Sequence, residues 1–212
     1  MTNPQTIDFS RAIQIPYNFD RDLPTYVFQE MRRIINESGT SAPIILLVNS
    51  MGGSIHGALA VYQLIRTCPV KVDAYGYGVV AGASLLLIAG ATGERRMSAQ
   101  CLVIPDLDDA TPDGNNFIML SDLTATDETT ETDTGTLAAA PTTADEDAED
   151  YRSEPQYGKY DQVLAVYGAE FFLGALEACS KPTSDEWAEI LNDEACTDAA
   201  SCLDLNVIDR IG

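Results

Sequence analysis

Histidine is nearly missing from this chain: there is one, His56, in 212 residues. An imidazole-built zinc centre, or a nucleophile needing an imidazole base, has a single residue to draw on. Five cysteines stand at 68, 101, 179, 196 and 202, an odd number with no C-x-x-C pair, so a zinc ribbon or a dithiol redox motif is not expected. Reduced, partly buried thiols in a cytoplasmic protein are the plain reading. No run of 18 apolar residues occurs, so no membrane span is expected. The first residues, MTNPQTIDFSRAIQIP, lack a basic stretch followed by an apolar one, and no secretory signal is expected. No cofactor is expected, since no ligand-bearing motif is present.

Positive charge is scarce as well. Three lysines and nine arginines face 20 aspartates and 13 glutamates, and the net charge is −21. Such a chain repels nucleic acid and anionic membranes, which excludes both as partners. Between Asp106 and Glu154 there are 15 acidic residues and one basic one, Arg152; the rest of the chain keeps 18 acidic against 11 basic. Few lysines and many aspartates suit a surface bathed in strong salt, where screening removes self-repulsion. A halophilic host or its virus fits this pattern, and so does an ordinary acidic protein with an acidic loop.

What is present is a core. Apolar residues make up 45% of the chain, enough for one domain. LPTYVFQEMRRIIN (24–37) repeats Val27, Met31, Ile34 and Ile35 at helical spacing, with Pro24 suited to a first turn. IILLVN (44–49) is a short continuous apolar run, the mark of a buried parallel strand. A helix follows over 55–67, a strand over 70–78, a helix over 81–91, a turn at TGERRMS and a strand over 99–105. Strand and helix alternating in this way give two βαβ units on a parallel sheet. Residues 121–150 hold almost no large apolar side chain and are expected to be disordered. Helical character resumes over 160–179. Thr183 or Ser184 with Glu186 makes a capping pattern for a helix over roughly 185–192. A short helix and a closing strand, VIDRI, end the chain. The expected organisation is one α/β domain, residues 1–106 and 159–212, interrupted by an acidic insertion at 107–158.

NSMGGS (49–54) joins a buried strand to a helix. Adjacent glycines Gly52 and Gly53 let backbone N–H groups face a cavity with no side chain in the way, an oxyanion-type arrangement favoured by the following helix N-terminus. A tight strand-to-helix turn explains the same residues more blandly.

The combination is more specific. ILLVNSMGGSIHGALAVYQLI, GYGVVAGASLLLIAGATGERR, CLVIP and AASCLDLNVIDRI together resemble the proteolytic subunit of the Clp protease (ClpP), of the crotonase-like superfamily. The likeness covers roughly 40–106 and, more loosely, 160–212, and it fails over 107–158. It implies an α/β fold of repeated βαβ units, a serine-peptidase active site and a ring of subunits that works with an unfoldase. Leu85, Leu86, Leu87, Gly90, Gly93 and Arg95 set the register. Without a gap, the family's nucleophilic serine falls on Ala81; with one residue missing it falls on Gly82, the other expected oxyanion-type backbone position. The histidine falls on Asp106, or on Pro105 after a one-residue slip. The acid falls near Asp193 or Glu194. Ser84 is the one hydroxyl near the elbow, roughly 4–5 Å of helical rise beyond Ala81, further than a nucleophile's reach. His56 lies on the helix after the double glycine, where a packed or exposed histidine is the ordinary outcome. The family's Pro is replaced by Met51, and the acidic insertion falls where the family builds its long handle helix.

Three functions follow. The first is a non-catalytic Clp-type subunit, homo-oligomeric or beside active subunits, in the cytoplasm of a cell or host or in a virion. The second is a working serine endopeptidase with Ser84 recruited. The third is a crotonase-like enzyme that uses the oxyanion amides alone, with a carboxylate such as Asp106 as base, although an acyl-CoA would want more basic residues than this chain has.

Overall fold

The computed structural model describes residues 7–105, 168, 170–192 and 198–212. A short 3-10 turn, Phe9–Arg11, leads into β1 (Ala12–Gln14) and β2 (Asn18–Phe19). Then come α1 (Leu23–Ser38), β3 (Ile44–Ser50), β4 (Gly52–Gly53), α2 (Ile55–Thr67), β5 (Val72–Ala81) and α3 (Ser84–Ala89). Two short strands follow, β6 (Arg95–Met97) and β7 (Leu102–Ile104). Helical backbone over 170–177 (α4) precedes α5 (Ser184–Asn192), α6 (Ala199–Asp204) and β8 (Arg210–Ile211).

One six-stranded sheet carries the fold, in the order β1-β3-β5-β6-β8, with β7 also on β5. All its pairings are parallel, as alternating strands and helices require. The crotonase/ClpP-like α/β architecture read from the sequence is therefore present. β3 shows why: Ile44, Leu46 and Val48 are completely buried and Ile45 and Leu47 nearly so, the two-sided burial of a central parallel strand. α1 buries Leu23, Val27, Met31 and Ile34, the stripe that its spacing predicts, and Pro24 sits in its first turn. Its C-terminus is held by Arg11, a buried arginine whose guanidinium donates to the carbonyls of Ser38, Gly39, Ala42 and Pro43. That fork satisfies carbonyls that a helix end leaves open.

Four expectations are corrected. The strand expected over 70–78 starts at Val72 and continues to Ala81. The helix expected over 81–91 spans only Ser84–Ala89, because Gly82 takes a left-handed conformation (φ 49°) that breaks the chain between strand and helix. TGERRMS is not all turn: Arg95–Met97 forms β6, paired with β5 on one side and β8 on the other. The strand expected over 99–105 is three residues long. β1 and β2 were not legible at all. The insertion expected at 107–158 lies outside the described residues.

Beside the pairing of β8 with β6, Arg95 ties the C-terminal part to this sheet. Arg95 donates to Asp209 Oδ1 at 2.6 Å and to the carbonyls of Cys179 and Asn206, both at 2.9 Å, while its own N–H reaches Asp209 Oδ2 at 2.8 Å. Trp187, fully buried, donates from Nε1 to Ser180 Oγ at 2.8 Å. Thr183 and Glu186 close the capping box on α5, Thr183 N–H to Glu186 Oε2 at 2.8 Å and Glu186 N–H to Thr183 Oγ1 at 3.3 Å. Among the described residues no helix is long and apolar enough to cross a membrane.

Candidate active-site cleft

Two turns meet at the C-terminal ends of β3 and β5, where parallel sheets place their sites. A bulge brings them together. Val48 pairs with Gly76, but Ser50 pairs with Val80, so β5 carries extra residues opposite Asn49. Gly78 absorbs the distortion at φ 66°, and Asn49 Oδ1 accepts from Val79 N–H at 3.0 Å. Before the bulge β5 pairs with β6; after it, with β7. The bend delivers Ala81–Ala83 against the glycine turn: a Cβ on Gly52 would stand 2.7 Å from the Ala81 carbonyl oxygen and 3.2 Å from Ala83 N. Gly52 (φ 91°) is thus required twice, by conformation and by space. Gly53 pairs with Phe19, and a Cβ there would overlap the Phe19 carbonyl.

Two of the three expected oxyanion-type amides, those of Gly52 and Gly82, have acceptors already. Gly52 N–H donates to Ser50 Oγ at 3.1 Å, and Gly82 N–H donates to the Ile104 carbonyl at 2.8 Å. Met51 N–H and Ser54 N–H bond the carbonyls of Tyr17 and Phe19 at 2.7 and 3.1 Å. Ser54 caps α2, accepting from Gly57 N–H at 3.2 Å.

Ala81, on the ungapped nucleophile position, ends β5 and is 2% exposed. Ser84 is fully buried at the start of α3. Its hydroxyl turns back on the elbow: it accepts from Ala81 N–H at 3.0 Å and has the Ala81 carbonyl at 2.7 Å and the Ser50 carbonyl at 3.3 Å as acceptors for its proton. No base lies among these partners. His56, in the first turn of α2, is exposed on one side and covered on the other by Gly168, where a Cβ would stand 2.9 Å from imidazole Cε1. Partial burial, and then the Arg21 charge, pull its pKa below the ordinary histidine value. Its environment is a packing contact between α2 and residue 168. Asp106, Asp193 and Glu194 lie outside the described residues. Among the described residues no cluster of three or more His, Cys, Asp or Glu could hold a metal ion.

Sequence reasoning missed the Asn49–Val79 and Ser50–Gly52 bonds, which shape the cleft. The N-S pair before the glycines carried the signal, since short polar side chains at a strand end commonly bond nearby backbone.

Comparison with known proteins fits this geometry. Residues 4–105 match the Clp protease family model. The ATP-dependent Clp protease proteolytic subunit 2 of Borreliella burgdorferi is 33% identical over 89 residues, 42% of this chain and 44% of that protein; the chain thus matches less than half the length of this curated relative. A solved structure, described only as that of an enzyme, superposes with a TM-score of 0.64 over 95% of each chain at 12% identity, a likeness of fold alone.

Proposed function

From the premise that this chain is a Clp protease family member through residues 4–105, we propose that it is a non-catalytic ClpP-like subunit with an assembly role in an oligomeric ring. The observation that supports this best is Ser84. The one hydroxyl at the elbow is buried and spends its bonds on the backbone of Ala81 and Ser50. A nucleophile needs a hydroxyl within about 3 Å of a base and open to substrate. Ala81 supplies no hydroxyl, and His56, exposed on one side beside Gly168, is not among the hydrogen-bond partners of Ser84. What survives is the frame, the bulged β5, the double glycine and the Arg95 latch, and a frame without chemistry is what an assembly subunit keeps. Its partners on this reading are further copies of itself or catalytic Clp-type subunits in the cytoplasm, with an unfoldase reached through the assembly. Few lysines against many aspartates suit a high-salt interior, and the expected insertion at 107–158, which falls where the family builds its handle helix, argues against stacking of rings.

Turnover and mass measured on the same sample test this. Purified chain, at low and at multimolar salt, is sedimented to find its oligomeric state and assayed with a fluorogenic peptide and an unfolded protein. Oligomers without turnover support the proposal. Turnover that falls with Ser84→Ala would establish the working peptidase instead.

A further inference from the structure

The buried elbow contains an acceptor of its own. β5 and β7 pair with Val79 opposite Leu102, Val80 opposite Val103 and Ala81 opposite Ile104. The ladder runs one rung past the strand: Gly82 N–H donates to the Ile104 carbonyl at 2.8 Å. On the glycine turn packed against it, Gly52 N–H is held at 3.1 Å by Ser50 Oγ, whose own proton goes to the Tyr17 carbonyl at 3.0 Å. Gly52 and Gly82 are both buried. A buried amide already bonded to the backbone accepts a new partner only by giving up the old one, and the displaced carbonyl is then left without a donor.

We infer that β7 is a built-in strap: the Ile104 carbonyl is the resident ligand of the Gly82 amide and closes that amide to the carbonyl or carboxylate of a peptide. This rests on reading Gly82 as the oxyanion-type donor. It goes beyond loss of the nucleophile. Losing a serine removes covalent chemistry and leaves peptide binding intact, whereas the strap removes the binding as well. A peptide enters only when the last rung of β7 is peeled from β5.

The Gly82 amide reports this directly. In the full-length, 15N-labelled chain its hydrogen exchange is expected to be slowed about a thousand-fold or more, as for a stable internal bond. Millimolar N-acetyl tripeptide with a free carboxylate is expected to leave its resonance in place. Ile104→Pro removes the amide that shares the last rung with that carbonyl. In this variant Gly82 is expected to exchange at least about tenfold faster while the β3 amides keep their protection, and the tripeptide then shifts the Gly82 signal. An unprotected Gly82 in the unmodified chain, a saturable tripeptide shift there, or unchanged Gly82 protection in a folded Ile104→Pro would overturn the inference. Should that variant not fold, the two measurements on the unmodified chain decide. Tripeptide bound at Gly82 without any hydrolysis would remove the strap and leave the proposed function standing; hydrolysis would remove the proposed function.

Discussion

Replacing Ser84 by alanine separates a structural serine from a catalytic one. The hydroxyl accepts from Ala81 N–H at 3.0 Å inside a fully buried site. Alanine leaves that N–H with no partner and no water, a penalty of about 1–3 kcal/mol. The hydroxyl's single proton, which has the Ala81 carbonyl at 2.7 Å and the Ser50 carbonyl at 3.3 Å as acceptors, is lost too. The gain in helix propensity from serine to alanine in the first turn of α3 offsets at most about 0.5 kcal/mol. The net is a loss of about 2 kcal/mol, or roughly 4–8 °C in Tm for a chain of this size. The assay is thermal and urea unfolding of both proteins in one buffer, with labelling by a serine-directed probe alongside. A Tm within about 1 °C of the unmodified chain, or a label present in the original and absent in Ser84→Ala, would refute the reasoning.

Arg95→Met strips the latch from Asp209, Cys179 and Asn206, and is expected to cost about 2–4 kcal/mol in urea unfolding, chiefly from carbonyls left short of a donor. Partial burial of Asp209 pushes its pKa up, but the hydrogen bonds from the Arg95 guanidinium and N–H outweigh that and hold it below the usual carboxylate range. Its stabilising contribution is complete above the unfolded aspartate pKa and is lost as pH falls through the lower folded value, so Asp209→Asn should flatten the acid limb of the stability–pH curve. Burial pushes the Cys101 thiol up to about 11; it should resist a thiol reagent at pH 8 in the native state and react once urea unfolds the chain. As the one histidine, His56 gives a single imidazole titration by NMR, expected below the ordinary histidine value because of burial and Arg21. Acid should therefore weaken the fold, starting as pH drops through the unfolded histidine pKa and finishing at the folded one, and His56→Gln should remove that step.

The parts of the fold that could be read ahead of the structure are those where a side-chain pattern and its burial agree. IILLVNS is buried at every position but Asn49, and α2 occupies the residues its pattern marked, Ile55–Thr67. β6 was illegible because its residues, Arg95, Arg96 and Met97, carry no strand pattern; neighbours on both sides make it a strand. Arg96 is buried there over the Tyr75 ring, 5.6 Å from the centroid, a cation–π contact set by the register and invisible in composition. The boundary at the elbow failed for a different reason. AGASLLL suits a strand or a helix equally, and the left-handed turn at Gly82 decides where one stops. The double glycine and the anchors Leu85 to Arg95 marked two turns in the sequence, and the structure brings those turns together. The condition of the site they form was not legible: that Ser84 is bonded to Ala81, or that Ile104 occupies the Gly82 amide, depends on contacts between residues up to 34 positions apart.

The central proposal is that Ser84, the one hydroxyl at the elbow, is not an activated nucleophile. Incubation of the folded protein with a fluorophosphonate probe, at low and multimolar salt, followed by mass-spectrometric mapping of every serine and threonine, tests it most directly. The account predicts no adduct at any position under conditions in which an active serine peptidase in the same tube labels fully. A stoichiometric adduct on Ser84 that disappears when the protein is unfolded first would contradict it.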